Sequence, residues 1–181
     1  MNNSFSRLMK YALSIGAIAM VIFTLISKPT DFSGWAEYVS YSTSIATAFA
    51  FLYEKWLWKW NPLEKMPQLK NKYDGTLHYR YNGTEETKPI KIEIDQSLLK
   101  VKVKTRTDMN SSSTVMGMII EENGEHVLYY SYITNPDITV TRDNPMQYGT
   151  CRMELNRDNV QISGHYWTNR MTAGDMTWIV R

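Results

Sequence analysis

The sequence predicts a membrane-anchored all-β protein: two N-terminal transmembrane helices, then an eight-stranded up-and-down β-barrel. Three observations carry that expectation. Two uncharged stretches, residues 11–27 and 38–53, stand near the N-terminus. From Tyr73 the hydropathy switches to a period of two, the mark of a strand with one apolar and one wetted face. Eight such short runs follow one another without a helical interruption in roughly 110 residues, a pattern best closed into a barrel because closure removes exposed edges. A two-sheet sandwich is the alternative.

The first span reads YALSIGAIAMVIFTLIS between Lys10 and Lys28. A spanning helix needs about 20 mostly apolar residues, and flanking cations can snorkel to cover a small deficit. A signal peptide is the competing reading, but SKPTDFSG offers no Ala-x-Ala-like cleavage site. The second span runs from about Trp35 to Trp58. Trp35 and Tyr38 stand at one end, and Trp56, Trp58 and Trp60 at the other, as an aromatic belt would have them. An amphipathic soluble helix is the alternative for this segment. Arg7 and Lys10 precede the pair, and Lys55, Lys59 and Lys65 follow it, so the positive-inside rule puts both termini in the cytoplasm. Ser40, Ser44 and Ala48 recur every four residues, a small-residue face suited to packing against the first span or to self-association in lipid. Residues 1–60 thus form a transmembrane hairpin, 61–72 a linker opened by Asn61-Pro62, and 73–181 the barrel and ligand-binding domain.

Eight strands are expected at about 75–82, 88–95, 98–106, 113–122, 126–134, 149–156, 159–168 and 175–181. Ile90, Ile92 and Ile94 alternate with Lys91 and Glu93, and Leu99, Val101 and Val103 with Lys100, Lys102 and Lys104. Turns after even-numbered strands read as tight: Asp95-Gln96-Ser97, Asn123-Gly124 and Arg157-Asp158. Connections after odd-numbered strands read as longer: Gly83–Thr87, Thr107–Ser112, Asn135–Tyr148 and Asn169–Gly174. In a meander, alternate connections fall on opposite rims, so the long ones would surround one mouth, facing away from the bilayer. Barrel mouths and loop clusters are usual places for a ligand.

Arg106, Arg142 and Arg170 are expected at or near that mouth, with Thr107, Ser111, Ser112, Ser113, Thr134, Asn135, Asn169 and Thr172. Guanidinium forks with hydroxyl and amide donors suit phosphate oxygens. Tyr130, Tyr132 and Tyr166 could stack on a base from inside the wall. The plainer reading is that loops are polar anyway and that barrel cores contain tyrosine.

The balance of 20 Lys and Arg against 18 Asp and Glu gives a net charge of +2, too little for a nucleic-acid binder held by bulk charge. From residue 73 onward there are 12 basic and 14 acidic residues, so neither DNA nor RNA is an expected partner. A single cysteine, Cys151, excludes an internal disulfide framework and a thiolate zinc cluster. His78, His126 and His165 lack metal-ligand spacing, and phosphate-binding loops and nucleophile elbows are missing. No metal, cofactor or catalytic activity is expected.

The order of parts resembles the CBASS antiphage effectors built from two transmembrane helices and a β-rich domain, the CD-NTase-associated cyclic dinucleotide receptors. The span pair, MPQLKNKYDGTLHY, IEIDQSLLKVKVKTRT with SSST, LYYSYITNPD, QYGTCRMEL and ISGHYWTNRMTAGDMTWIVR carry the resemblance over essentially the whole chain. It implies a minimal lipocalin-like barrel that senses a cyclic dinucleotide made by a partner nucleotidyltransferase after phage infection. It further implies ligand-driven homo-oligomerisation of the spans, disruption of the inner-membrane lipid and death of the infected cell. Two other readings stay open: a membrane-tethered carrier or sensor of an apolar ligand, and a scaffold subunit with a filled barrel. A periplasmic barrel released by signal cleavage is a third.

Overall fold

The computed structural model describes residues 3–81, 84–137, 145–156 and 158–181. The chain divides into two units, Met1–Met66 and Pro67–Arg181.

The first unit is a helical hairpin of α1 (Asn3–Ile26) and α2 (Phe32–Lys55), followed by a short 3₁₀ turn at Leu57–Trp60. Asp31 starts α2 by accepting a hydrogen bond from the Gly34 amide at 3.1 Å, a standard N-cap. Small residues form the seam: Ala12 and Ala19 of α1 are buried, as is Ser42 of α2, whose hydroxyl meets the Met20 sulfur at 3.8 Å. Among the described helices, one is long and apolar enough to cross a membrane, at Ser4–Ile26. The second expected span does form a helix of 24 residues, but nine of them are Ser, Thr or Tyr, which hold its hydropathy below that of a typical span.

The second unit is a closed antiparallel barrel in which each strand pairs with the next and β1 closes on β8. The strands are β1 (Lys72–Tyr81), β2 (Thr84–Gln96), β3 (Val101–Arg106), β4 (Asn110–Glu122), β5 (Glu125–Pro136), β6 (Tyr148–Leu155), β7 (Gln161–Thr168) and β8 (Ala173–Val180). Period-two hydropathy sets their facing: Ile90, Ile92, Ile94, Val101, Val103, Leu128, Met153, Ile162, Met176 and Trp178 are buried inside. Cys151 is among them, and burial pushes its thiol up to about 12, so it stays protonated and inert.

β3 and β4 cross closely. Their ladder holds three pairs, Lys104 with Ser113 to Arg106 with Ser111. Below it the Thr114 hydroxyl replaces the backbone, accepting from Val103 N–H and donating to Val103 C=O, both at 2.8 Å. A bulge at Thr114/Met116 re-aims β4, and a Cβ at Gly117 would stand 2.4 Å from the Val101 carbonyl, so only glycine fits this approach.

The chain enters and leaves by one rim, here termed proximal: Lys72, Gln96, Val101, the β4–β5 turn, Leu155, Gln161 and Val180. Asn123 and Gly124, both with positive φ, make the two-residue β4–β5 hairpin there. The opposite, distal rim carries the other connections, but these are not all long. β1 and β2 are separated by two residues, β3 and β4 by three, β7 and β8 by four; only β5 to β6 is long. The expected contrast between tight and elaborated rims is therefore corrected. The strands continue past their expected starts, β2 from Thr84 and β4 from Asn110. Gly83, Arg157 and residues 138–144 of the β5–β6 connection lie outside the described residues.

Pro89 explains part of this. The Ile94 amide donates to Asn71 ahead of β1, so by alternation the amides of Lys91, Glu93 and Asp95 point to β3. Pro89 shares that direction and has no N–H to give. It does not end β2; it lies where the β2–β3 ladder stops, beyond the Lys91–Arg106 pair. Beyond that point the β1–β2 hairpin continues alone to Tyr81 and Thr84.

Candidate functional site

The interior has two characters. Its proximal part is apolar and packed, and a run of tilted rings leads from it to the distal part: Tyr73 against Trp178 (6.3 Å between centroids), Trp178 against Tyr130 (6.1 Å) and Tyr130 against Tyr132 (5.9 Å). Toward the distal rim the inner face becomes hydroxylic. Thr105 and Ser112 share a hydrogen bond of 2.7 Å, and Thr168 and Thr172 one of 2.6 Å. The Thr134 hydroxyl accepts from the Gln147 amide at 2.8 Å. Tyr166 is buried, and beyond Gly174 of β8, on the β1–β2 hairpin, Tyr79, Glu86 and Lys88 continue the inward parity of Tyr73, Ile92 and Ile90.

The phenols here are neutral at physiological pH. Burial raises Tyr130 and Tyr132 far above the usual phenol range, and burial together with Tyr79 raises Tyr166 to about 12. Neutral phenols donate hydrogen bonds and carry no charge to repel an anion. Tyr132 also fills the space that Gly149 leaves: a Cβ at Gly149 would fall 2.4 Å or less from the Tyr132 ring carbon and hydroxyl.

A cavity of about 420 Å³ lies at this end of the wall. It is a groove on the outer wall: Val115, Ser131, Tyr148, Thr150 and Trp167, all of outward parity, line it over the strand backbone at Tyr132, Gly149 and Thr168.

The structure brings Tyr130, Tyr132, Tyr166 and Thr172 together on the inner face. Asn169 and Arg170 sit on the β7–β8 turn of the distal rim. Asn169 is fastened to β6, its amide donating to the Tyr148 carbonyl and its side-chain oxygen accepting from the Tyr148 amide. Arg170 is exposed. Thr107 caps the β3–β4 turn by bonding Asn110. Arg106 and Ser113 reach the distal end but face out: Arg106 follows the exposed Lys102 and Lys104 and opposes Lys91, and Ser113 opposes Lys104. Arg142 lies outside the described residues. The expected convergence of three arginines is therefore not what this mouth presents among the described residues. Its inward cation is Lys88, which the alternation running back from Ile94 through Ile90 predicts once Pro89 is read as interrupting one ladder instead of ending the strand.

Residues 64–179 match the family described as Cap15, cyclic dinucleotide receptor domain. The chain belongs to this family. The match spans the barrel that the fold places after Met66. Two relatives bear the name CD-NTase-associated protein 15. One, from Staphylococcus schleiferi, is 32% identical over 179 residues, covering 97% of each chain. The other, from Escherichia albertii, is 24% identical over 170 residues, covering 89% of this chain and 85% of the relative. A Cap15-family receptor domain has a cyclic dinucleotide as its ligand, which fits neutral rings and hydroxyl donors at the distal end better than the purely apolar cargo of a carrier.

Proposed function

We propose that this chain is the membrane effector of a CBASS antiphage system. Its lipocalin-like barrel takes up, at the distal end, a cyclic dinucleotide made by a partner CD-NTase. α1 and α2 both cross the bacterial inner membrane with the termini in the cytoplasm. Ligand-loaded copies associate through α2, the bilayer fails, and the infected cell dies. The protein acts as a receptor and not as an enzyme.

The observation that carries the reading is the family match over the barrel, supported by relatives named for association with a CD-NTase. The membrane half has its own support. The hydroxyls of Ser40, Ser44 and Thr47 donate to the backbone carbonyls of Ala36, Ser40 and Thr43, one turn back, so α2 offers lipid few unsatisfied donors despite its polarity. At 3.6 residues per turn, Ser40 and Ser44 lie opposite the buried Ser42 and Tyr53. Ser40, Ser44 and Ala48 are exposed, and α1 is not what they pack against. That leaves a small-residue face for a second copy.

Reconstitution of the whole chain into dye-loaded vesicles of bacterial polar lipid tests this reading. Cyclic di-GMP, cyclic GMP–AMP and cyclic di-UMP serve as probes, with calorimetry run in parallel. Binding of at least one probe, accompanied by dye release that its linear counterpart does not cause, is expected. Binding without release removes the membrane-disrupting role; no binding of any probe removes the sensing role.

A further inference from the structure

The β1–β2 hairpin extends beyond the end of β3 and carries three polar side chains on the barrel's inner face: Tyr79, Glu86 and Lys88. They form a closed set. The Tyr79 hydroxyl donates to Glu86, the Lys88 ammonium lies 3.7 Å from the Glu86 carboxylate, and the same ammonium stands 5.2 Å from the Tyr79 ring centroid. Lys88 is half-exposed, so it is held in place yet reachable from the mouth. Tyr166 flanks Tyr79 on the same wall, the two lying on either side of Gly174 in β8, close enough for Tyr79 to influence the titration of Tyr166.

From this arrangement we infer that Lys88 is a ligand-specificity residue, a cation latched by Glu86 that transfers to a ligand phosphate when a cyclic dinucleotide binds. The inference rests on the reading of the barrel as the nucleotide-binding unit. A carboxylate facing into a mouth that receives a dianion looks unfavourable, because like charges repel. Its use is to position the ammonium and the Tyr79 hydroxyl while no ligand is present. When a phosphate arrives it displaces Glu86 as the counter-ion, and Lys88 forms a charge-assisted contact with a phosphate oxygen. The Tyr79 hydroxyl, released from Glu86, becomes a neutral donor for the same phosphate or for a base edge. Glu86 thus competes with the ligand, and an apolar or uncharged molecule has nothing with which to displace it. This sets a preference for phosphorylated ligands without requiring the arginines, of which Arg106 faces outward.

Opposite signs at two adjacent positions distinguish the latch from a structural role. Lys88→Gln removes the cation and Glu86→Gln removes its competitor; neither side chain is buried, so both variants keep the fold. The experiment is calorimetric titration of the full chain in detergent micelles with cyclic di-GMP, cyclic GMP–AMP and cyclic di-UMP, repeated at two salt concentrations. For whichever probe the unaltered protein binds, Lys88→Gln is expected to weaken binding about tenfold and to flatten its salt dependence. Glu86→Gln is expected to tighten it several-fold, and Lys88→Arg to retain it. Equal affinity of Lys88→Gln and the unaltered protein, or weaker binding by Glu86→Gln, overturns the latch while leaving the barrel a receptor. If the unaltered protein binds none of the three, the receptor reading falls and the latch falls with it.

Discussion

The two halves of the barrel interior are built from one alternating pattern and do different work. The proximal half is filled by Trp178, Leu128, Met153, Ile162 and Val103, none of which reaches solvent. The distal half, on the same inner face, substitutes Thr105, Ser112, Thr134, Thr168, Tyr166 and Lys88 for aliphatic side chains. Close packing of apolar groups is what makes a small barrel stable. Donors near a rim contribute less to stability, because water offers them equivalent bonds when the chain is unfolded. The contrast teaches that the proximal half carries folding, which frees the distal half to hold groups suited to a ligand.

Leu128→Ala, in the proximal half, breaks this division most severely. It is expected to destabilise the barrel by about 2–5 kcal/mol in thermal or urea unfolding, while ligand affinity of the remaining folded protein is unchanged. Thr114→Val comes next and marks the border between the halves. It keeps the shape but strands the buried N–H and C=O of Val103, and a loss of about 1–3 kcal/mol by the same measurement is expected.

Gly149→Ala sharpens the comparison from the distal side. The added methyl displaces the Tyr132 ring, a flexible end that can swing, so a stability cost of about 1–3 kcal/mol is expected. Cyclic dinucleotide affinity should fall by a larger factor than for Leu128→Ala, because Tyr132 belongs to the distal site. Equal affinity in the two variants would erase the distinction between the halves.

The smallest effect lies on the outer wall. Glu122 accepts from Arg152 and from the Tyr129 hydroxyl, and those bonds hold its carboxyl below the ordinary value of 4.5. A lowered folded-state value means that the contribution is present above that ordinary value and is lost as pH falls through the folded one. Unfolding midpoints measured from pH 6 down to pH 3 should therefore decline less steeply in Glu122→Gln than in the unaltered protein, by a small margin because the cluster is solvated.

Much of the barrel was legible in the sequence because strand parity is a strong signal: eight strands and most inward aliphatic positions follow from period two, while their order and closure follow from the uninterrupted succession of strands. The distal site was harder to read, for two physical reasons. Arg106 read by its place along the strand belongs to the mouth, but read by parity it belongs outside with Lys102 and Lys104, and parity decides. Pro89 looks like a strand terminus, yet its missing N–H matters only on the β3 side, so β2 runs on and turns Lys88 inward. The second helix shows the same limit of composition. Its hydroxyls lower the hydropathy, while their bonds to the carbonyls one turn back depend on helical geometry that composition does not contain.

Hydrogen exchange of the full chain, with and without a bound cyclic dinucleotide, tests the division between the two halves most directly. New protection is expected at Tyr79, Thr87 to Lys88, Thr105 to Ser112, Tyr132 to Thr134 and Thr168 to Thr172, with the amides of Val127, Met153, Ile162 and Trp178 unchanged. Protection gained chiefly at those proximal amides, with the distal rim unaltered, would contradict a distal binding site.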